Sequence, residues 1–333
     1  VAGQQPTVSH YPSAPAARDR WILARRMPRN ALDPVRPYAI VVEPEFGPEG
    51  YEVPAVTIFL TNRECPWRCL MCDLWRNTLE ETVPAGSIAA QIHYALGQVG
   101  ELDPARCCLK LYNAGSFFDP RAIPPEEYPA IAALAAPFGR TIVESHPALV
   151  GPRCVEFQEQ LGRPLEVAMG LETVHPEILN RLNKRMTLDQ FRGAAETLAA
   201  SHIDLRAFIL VRPPWLSDDE GVVWAKRSLD FAIDCGAGVC SLIPTRAGNG
   251  AMEALLATGE FTPPSLAALE ASAEYGLELK AGRVFADLWD IEQFAACPVC
   301  STARIERLRL MNATQRVPAE VTCRCQHVSA SEQ

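Results

Sequence analysis

From Ala55 onward, short apolar runs alternate with longer, more polar stretches. The runs at 55–61, 107–112, 141–144, 165–169, 205–211 and 238–243 have strand length and read as buried strands. The stretches at 84–99, 124–137, 176–182, 187–200, 218–235 and 249–275 read as helices. In the first, Pro84 suits the opening turn, and Ile88, Ile92 and Leu96 share one face. Thr187-Leu188-Asp189-Gln190 and Ser217-Asp218-Asp219-Glu220 are capping boxes that open two of the others. Helix-length connections require parallel strands joined by right-handed crossovers, so the pattern predicts an α/β fold of six βα units. No internal repeat or low-complexity block interrupts it. Residues 1–17, rich in Pro, Ala, Gln and Ser, read as a flexible tail. Residues 18–54 are rich in Arg and Pro, and their apolar piece at 38–42 reads as an edge strand capping the domain. The expected organisation is an N-terminal extension (1–54), a core (55–290) and a small cysteine-rich segment (291–333).

Composition narrows the class. With 333 residues and 48% apolar residues, the chain can bury one large core plus an appendage. No apolar run reaches the length of a bilayer span, and no charged stretch followed by an apolar run marks a secretory leader. Twelve cysteines without an export signal predict a reducing, cytoplasmic setting and metal ligation over disulfides. A net charge of −9 gives no general support for nucleic-acid binding. The first forty residues are the exception: Arg18, Arg20, Arg25, Arg26, Arg29 and Arg36 face only Asp19 and Asp33. Such a basic arm can touch RNA, or serve as a solvated lead-in.

The chemistry concentrates in Cys65-Pro66-Trp67-Arg68-Cys69-Leu70-Met71-Cys72, a C-x3-C-x2-C run just past the first core strand. That places three thiolates on the strand-end edge where α/β folds carry their chemistry. Three closely spaced thiolates can hold three irons of a [4Fe-4S] cluster and leave the fourth open to a small molecule. A structural zinc would want a fourth protein ligand, and the nearest downstream histidine, His93, lies on a helix. Pro66, Trp67 and Arg68 suit a buried core segment poorly. Near the C-terminus, Cys297-Pro298-Val299-Cys300 and Cys323-Arg324-Cys325 are two thiolate pairs suited to tetrahedral zinc or to an auxiliary iron–sulfur cluster. Cys107 and Cys108 read as core, and Cys240 as the cysteine able to face inward. His146, at a strand end, can contact a ligand, carry a proton near neutral pH, or hold structure by hydrogen bonds. Arg212-Pro213-Pro214-Trp215 would set a cation and an aromatic ring over the same edge, or form a rigid loop.

The cysteine spacing resembles that of the radical S-adenosylmethionine (SAM) superfamily, and the βα rhythm resembles its partial (β/α)6 TIM-like barrel. The resemblance implies SAM bound to the open iron through its amino and carboxylate groups. It also implies cleavage of SAM to a 5′-deoxyadenosyl radical by an electron from reduced ferredoxin or flavodoxin, and hydrogen abstraction from a substrate. On this likeness Asn113, Gly115 and Ser116 form the loop that meets the SAM ammonium, though Gly115 is its one glycine and it lacks the acid of the superfamily's Gly-Gly-Glu-like segment. Glu144, Glu172 and Lys184 are the further SAM contacts implied, with Arg185 the alternative to Lys184. Within the superfamily the chain resembles the Elp3-like group, and there the radical SAM subunit of archaeosine synthase. The similar segments are 111–120, 143–147, 170–173 and 182–184, within residues 55–245. That subunit has a longer, glycine-containing cysteine loop, whereas this one is compact. The implied substrate is a tRNA nucleoside; a small metabolite or a peptide is the alternative. A non-catalytic iron–sulfur or zinc protein would lack the SAM pocket.

Overall fold

A computed structural model describes residues 11–323 and 325. In chain order it begins with α1 (Pro15–Leu23), β1 (Ala39–Phe46), β2 (Glu52–Leu60) and two short strands, β3 (Asn62–Arg63) and β4 (Thr78–Leu79). Then follow α2 (Ser87–Gln98), β5 (Cys108–Asn113), α3 (Tyr128–Ala135), β6 (Arg140–Ser145), α4 (Pro152–Leu161) and β7 (Leu165–Glu172). The second half contains α5 (Pro176–Arg181), α6 (Leu188–Ala200), β8 (Asp204–Val211), α7 (Asp218–Asp234) and β9 (Val239–Pro244). It ends with α8 (Ala251–Ala257), α9 (Leu266–Glu278), β10 (Arg283–Ala286) and α10 (Ser301–Thr314).

Eight strands form one curled half-barrel sheet in the order β1-β2-β5-β6-β7-β8-β9-β10. Only β1 runs antiparallel to its neighbour. The six expected core strands are present, and residues 39–42 of the expected edge strand fall in β1. Both capping boxes form, with Thr187 and Ser217 accepting from the N–H groups of Gln190 and Glu220. The crossover helices pack their apolar faces on the outer side of the sheet. Val56, Ile58 and Leu60 of β2, Leu109 and Leu111 of β5, and Val167, Met169 and Leu171 of β7 join that cluster.

The concave side is built differently. Ala55, Cys108, Ile142 and Ala168 make a thin apolar layer flanked by Tyr112 and Phe208. Beside it lies a buried ion network. Glu45 of β1 receives Lys110 Nζ at 2.6 Å and Arg206 Nη2 at 2.6 Å, and Arg206 Nε donates to Glu166 at 2.5 Å. Burial drives the Glu45 carboxyl upward, but Arg206 and Lys110 outweigh it and hold the group well below the usual carboxylate range.

Segments outside the six units seal the open sides. In α10, Asn312 accepts from Ala286 N–H and donates to Ala286 O (2.9 and 2.8 Å). Gln315 does the same for Val284, at 2.7 and 3.0 Å. Two side-chain amides thus stand in for a neighbouring strand and satisfy the β10 edge, which would otherwise invite pairing with another chain. α10 also packs on β1, the opposite sheet edge, and Arg283 reaches across to Phe46 O at 2.9 Å.

Several expectations are corrected. Residues 1–10 of the expected tail lie outside the described residues, but 11–17 are ordered: Tyr11 is buried and α1 begins at Pro15. The seventh parallel strand, β10, and the helices α4 and α10 were absent from the sequence pattern. Cys240 does not face inward: it joins the apolar cluster on the helix side, while Cys108 occupies the concave face. Among the described residues no helix is long and apolar enough to cross a membrane.

Candidate active site

The C-terminal ends of the parallel strands converge on the cysteine loop. β3 and β4 pair with each other and pin the loop's two ends. The Gln91 side chain brackets Thr61, accepting from its N–H and donating to its carbonyl, both at 2.8 Å. Within the loop, Leu70 is fully buried and its N–H donates to Leu182 O at 2.9 Å. Asn249 donates to Leu70 O and Cys72 O (2.7 and 3.1 Å), and Asn183 donates to Arg68 O at 2.7 Å. The backbone around the three thiols is therefore fixed by three asparagine and glutamine side chains from distant elements.

Glu64, immediately before Cys65, is the electrostatic anchor of the loop. It pairs with Arg26 at 2.7 Å, with Arg29, and with Arg68 at 3.1 Å. Among the described residues, five of the six arginines of the expected basic arm have partners within the chain. Arg18 donates to Asn180 O and Pro12 O, Arg25 lies over the Trp21 ring, and Arg36 lies over Tyr94. Tyr11 and Ile22 pack with Leu70, Met252 and Phe261, so the N-terminal segment clamps the loop from above.

Cys65, Cys69 and Cys72 are half-buried. Burial raises all three thiols, Cys69 to about 12 and Cys72 well above the ordinary value. They ionise together only against a strongly cationic partner, whose binding would release protons. Among the described residues these thiols do not form a group gathered around a single-ion point.

Facing them, the loop after β5 approaches so closely that a Cβ on Gly115 would lie 2.6 Å from Cys65 Cβ. Its φ of 141° is also one that other residues rarely adopt. Asn113 is buried, and among the described residues neither end of its side-chain amide has a hydrogen-bond partner. A buried amide with both ends unpaired has a donor and an acceptor to give to a ligand. Ser116 is turned to Ser145, with their hydroxyls 3.0 Å apart, and ties this loop to the end of β6.

Glu144 lies on β6 and accepts from Asn113 N–H at 3.3 Å. Burial pushes its carboxyl up to about 8, with the Asn113 N–H and Lys184 opposing, so it is mostly protonated at pH 7. Glu172 and Lys184 form a buried pair at 2.6 Å. Gly170 leaves room for it, since a Cβ there would overlap both charged groups. The backbone is strained around this pair: Glu172, Asn183 and Arg185 have φ of 65°, 59° and 60°. Each costs on the order of 1–3 kcal/mol and persists only where the surroundings enforce it. Burial lowers Lys184, but the Glu172 carboxylate outweighs it and leaves the amine above its ordinary value. Arg185 turns outward to Asp19 at 2.6 Å, so Lys184 is the inward cation.

At two positions that the sequence left open, the structural alternative is the one found. His146 holds structure by hydrogen bonds. Burial and then the nearby Lys184 charge depress it to about 4. Its Nδ1 accepts from Ala148 N–H, so Nε2–H donates to Lys184 O, both at 3.1 Å. Its ring also stacks on Trp67 of the cysteine loop, with centroids 3.8 Å apart. Arg212 and Trp215 are likewise structural. Arg212 binds Asp218 and Pro263 O, while the Trp215 ring lies under the Arg181 guanidinium and its Nε1 donates to Glu260. The sequence reading missed the supports Glu64, Gln91, Asn183 and Asn249. The i,i+4 pair Glu64–Arg68 was the one local signal for them.

No family model matches the chain. It is 24% identical over 299 residues to archaeosine synthase subunit beta of Methanosarcina acetivorans, covering 84% of this chain and 85% of that protein. Among solved structures it is similar to Elp3 of the archaeon Methanocaldococcus infernus (TM-score 0.48, 15% identity, 69% of this chain and 56% of that one). It is also similar to coproporphyrinogen III oxidase from Escherichia coli, described as a radical SAM enzyme (TM-score 0.43, 12% identity, 64% and 49%). The chain thus spans about half the length of those two structures. The likeness to archaeosine synthase read from the motifs agrees with the first of these relatives.

Proposed function

We propose that this chain is a radical SAM enzyme with a [4Fe-4S] cluster held by Cys65, Cys69 and Cys72, and SAM held beside it by Asn113, Gly115, Glu144, Glu172 and Lys184. The single observation that carries the reading is the meeting of three thiols with a glycine loop and an unpaired buried amide at one edge of a half-barrel. Those residues fit the group: soft ligands for iron, a small loop for close backbone approach, and polar side chains with capacity to spare. When bound, the cluster and SAM supply reductive cleavage to a 5′-deoxyadenosyl radical, driven by an electron from reduced ferredoxin or flavodoxin.

The chain's own residues bind and orient. Asn113 has both an amide donor and an acceptor to give. Lys184 offers a cation to a carboxylate, and Glu172 a hydrogen-bond acceptor to a ribose hydroxyl. Glu144, once ionised, offers an anion to an ammonium. Trp67 stacks on His146, which is hydrogen-bonded to Lys184 O, and this holds the loop rigid against the β6 end. The clamp of α1 over Leu70 limits access of water from that side.

For the substrate, similarity to archaeosine synthase subunit beta over most of both chains supports a tRNA nucleoside. A small metabolite or peptide is favoured by a different observation, the commitment of the N-terminal arginines within the chain under a net charge of −9. Anaerobic reconstitution with iron, sulfide, dithionite and SAM tests the reading. Wild type should form 5′-deoxyadenosine, and Cys65→Ala, Cys69→Ala or Cys72→Ala should each abolish it. Retained product in any of the three would refute the assignment. Stimulation of product formation by tRNA, with no effect of tRNA on the cysteine variants, would decide the substrate class.

A further inference from the structure

We propose that Cys297, Cys300, Cys323 and Cys325 form a site for a single zinc ion, and that this ion locks the tail across the two edges of the half-barrel. The four Sγ atoms all lie within 4.8 Å of one another, with Cys297 and Cys323 at 3.9 Å and Cys300 and Cys325 at 3.4 Å. A tetrahedral ion with Zn–S near 2.3 Å places its ligands about 3.8 Å apart. A [4Fe-4S] core puts four irons and four sulfides between its thiolates and holds them well beyond such contact. The spacing, left open by the sequence, therefore selects one ion. Disulfides are a poorer fit, since sulfur atoms bonded to each other stand about 2.05 Å apart.

The surroundings match a site of this charge. Four thiolates around one divalent cation carry a net charge of −2, which needs nearby donors. The buried Arg304 donates from Nε to Cys300 Sγ at 3.4 Å, pairs with Glu270, and reaches Val321 O at 3.1 Å. Arg307, one turn on, holds Ala319 O at 3.0 Å and Glu274 at 3.1 Å. Two arginines on α10 thus guide residues 318–321 back along the helix and deliver Cys323 and Cys325 to the first cysteine pair. Outer partners of this kind orient ligands and tune metal affinity. The same helix carries Asn312 and is capped by Gln315, and these two seal the β10 edge, so the ion fixes the element that closes the sheet.

This inference does not rest on the radical SAM reading. The test is metal and thiol analysis of the full chain, as wild type and as the triple variant Cys65→Ala/Cys69→Ala/Cys72→Ala. Both should hold about one zinc per chain, and a mercurial reagent should release it on titration of four thiols. Cobalt(II) substitution should give the visible bands of a tetrahedral thiolate site. Iron with acid-labile sulfide in the triple variant would overturn the proposal, as would four tail thiols found oxidised, or zinc below stoichiometry after growth with zinc. Because Cys297→Ser/Cys323→Ser also disturbs folding of the tail, a second measurement uses intact wild type. Zinc removal should speed hydrogen exchange in β10 and α10 while leaving β5–β7 unchanged, and equal exchange before and after removal would refute the locking role. Arg304→Leu should weaken zinc binding about 10–100-fold, as loss of an outer partner does.

Discussion

Glu144 ties the proposed cofactor site to a measurable pH dependence. The free carboxyl titrates at about 8 because it is fully desolvated, and it faces Asn113 N–H and the Lys184 charge. A ligand carrying an ammonium binds its ionised form. With a pKa of 8, about a tenth of the molecules are ionised at pH 7 and about nine tenths at pH 9. Apparent affinity should therefore rise about tenfold across that interval, or roughly 1.4 kcal/mol. The α-amino group of SAM itself titrates near about 8, so the informative quantity is the ratio of wild type to Glu144→Gln, in which the ligand's own titration cancels. The assay is equilibrium binding of SAM to cluster-loaded protein between pH 6.5 and 9. Stability of the ligand-free protein should move the other way. A carboxyl whose folded pKa is raised stabilises below its unfolded value near 4.5, and that contribution is lost as pH climbs through 8. A ratio flat with pH would refute the placement of Glu144 at an ammonium.

Other outcomes follow from the frame. Arg206→Met leaves Glu45 and Glu166 buried without their shared cation and should cost about 3–5 kcal/mol, or about 4–7 °C in Tm at roughly 2.1 cal/mol/K per residue, read by calorimetry. Because Glu45 is held below the usual range, the stability it brings is present above about pH 4.5 and lost as pH falls. Acid unfolding of Glu45→Gln should accordingly show a weaker pH dependence than that of wild type. Glu64→Ala strips Arg26, Arg29 and Arg68 of their common partner; hydrogen exchange across residues 64–73 should quicken and iron retention shorten, with far-UV circular dichroism unchanged. Asn312→Ala/Gln315→Ala removes four hydrogen bonds from the β10 edge and should lower stability by about 2–4 kcal/mol and increase self-association, measured by light scattering.

What could be read without coordinates was whatever the chain encodes locally. The strand–helix rhythm, both capping boxes and the cysteine spacing are short-range patterns, and each has its counterpart in the structure. Elements whose signal is weak or tertiary escaped. β10 has four residues, too few for alternation to register. In α4 only Cys154, Phe157 and Leu161 are buried among polar neighbours. The strand charges Lys110, Glu166 and Arg206 look solvent-facing in isolation, yet they neutralise one another inside the half-barrel. The pairing of Glu172 with Lys184 depends on a bulge at the end of β7 and on two left-handed residues beside the lysine, neither of which leaves a sequence signature.

The N-terminal arginines show how charge counting can mislead. Six cations in forty residues suggest an arm for an anionic polymer, and affinity for such a polymer should then fall steeply with salt. In the fold, Arg26 and Arg29 neutralise the residue that precedes the first cluster-type cysteine, and Arg18 ties α1 to the end of α5 beside the loop that carries Lys184. Substituting these arginines should therefore register first in the integrity of the cysteine loop and only through it in substrate handling. A polyanionic substrate would have to be gripped by other cations, or by a partner chain. Loss of iron on substituting Arg26 and Arg29 says nothing about RNA. A salt-dependent loss of affinity with iron content intact would show that these arginines bind substrate after all.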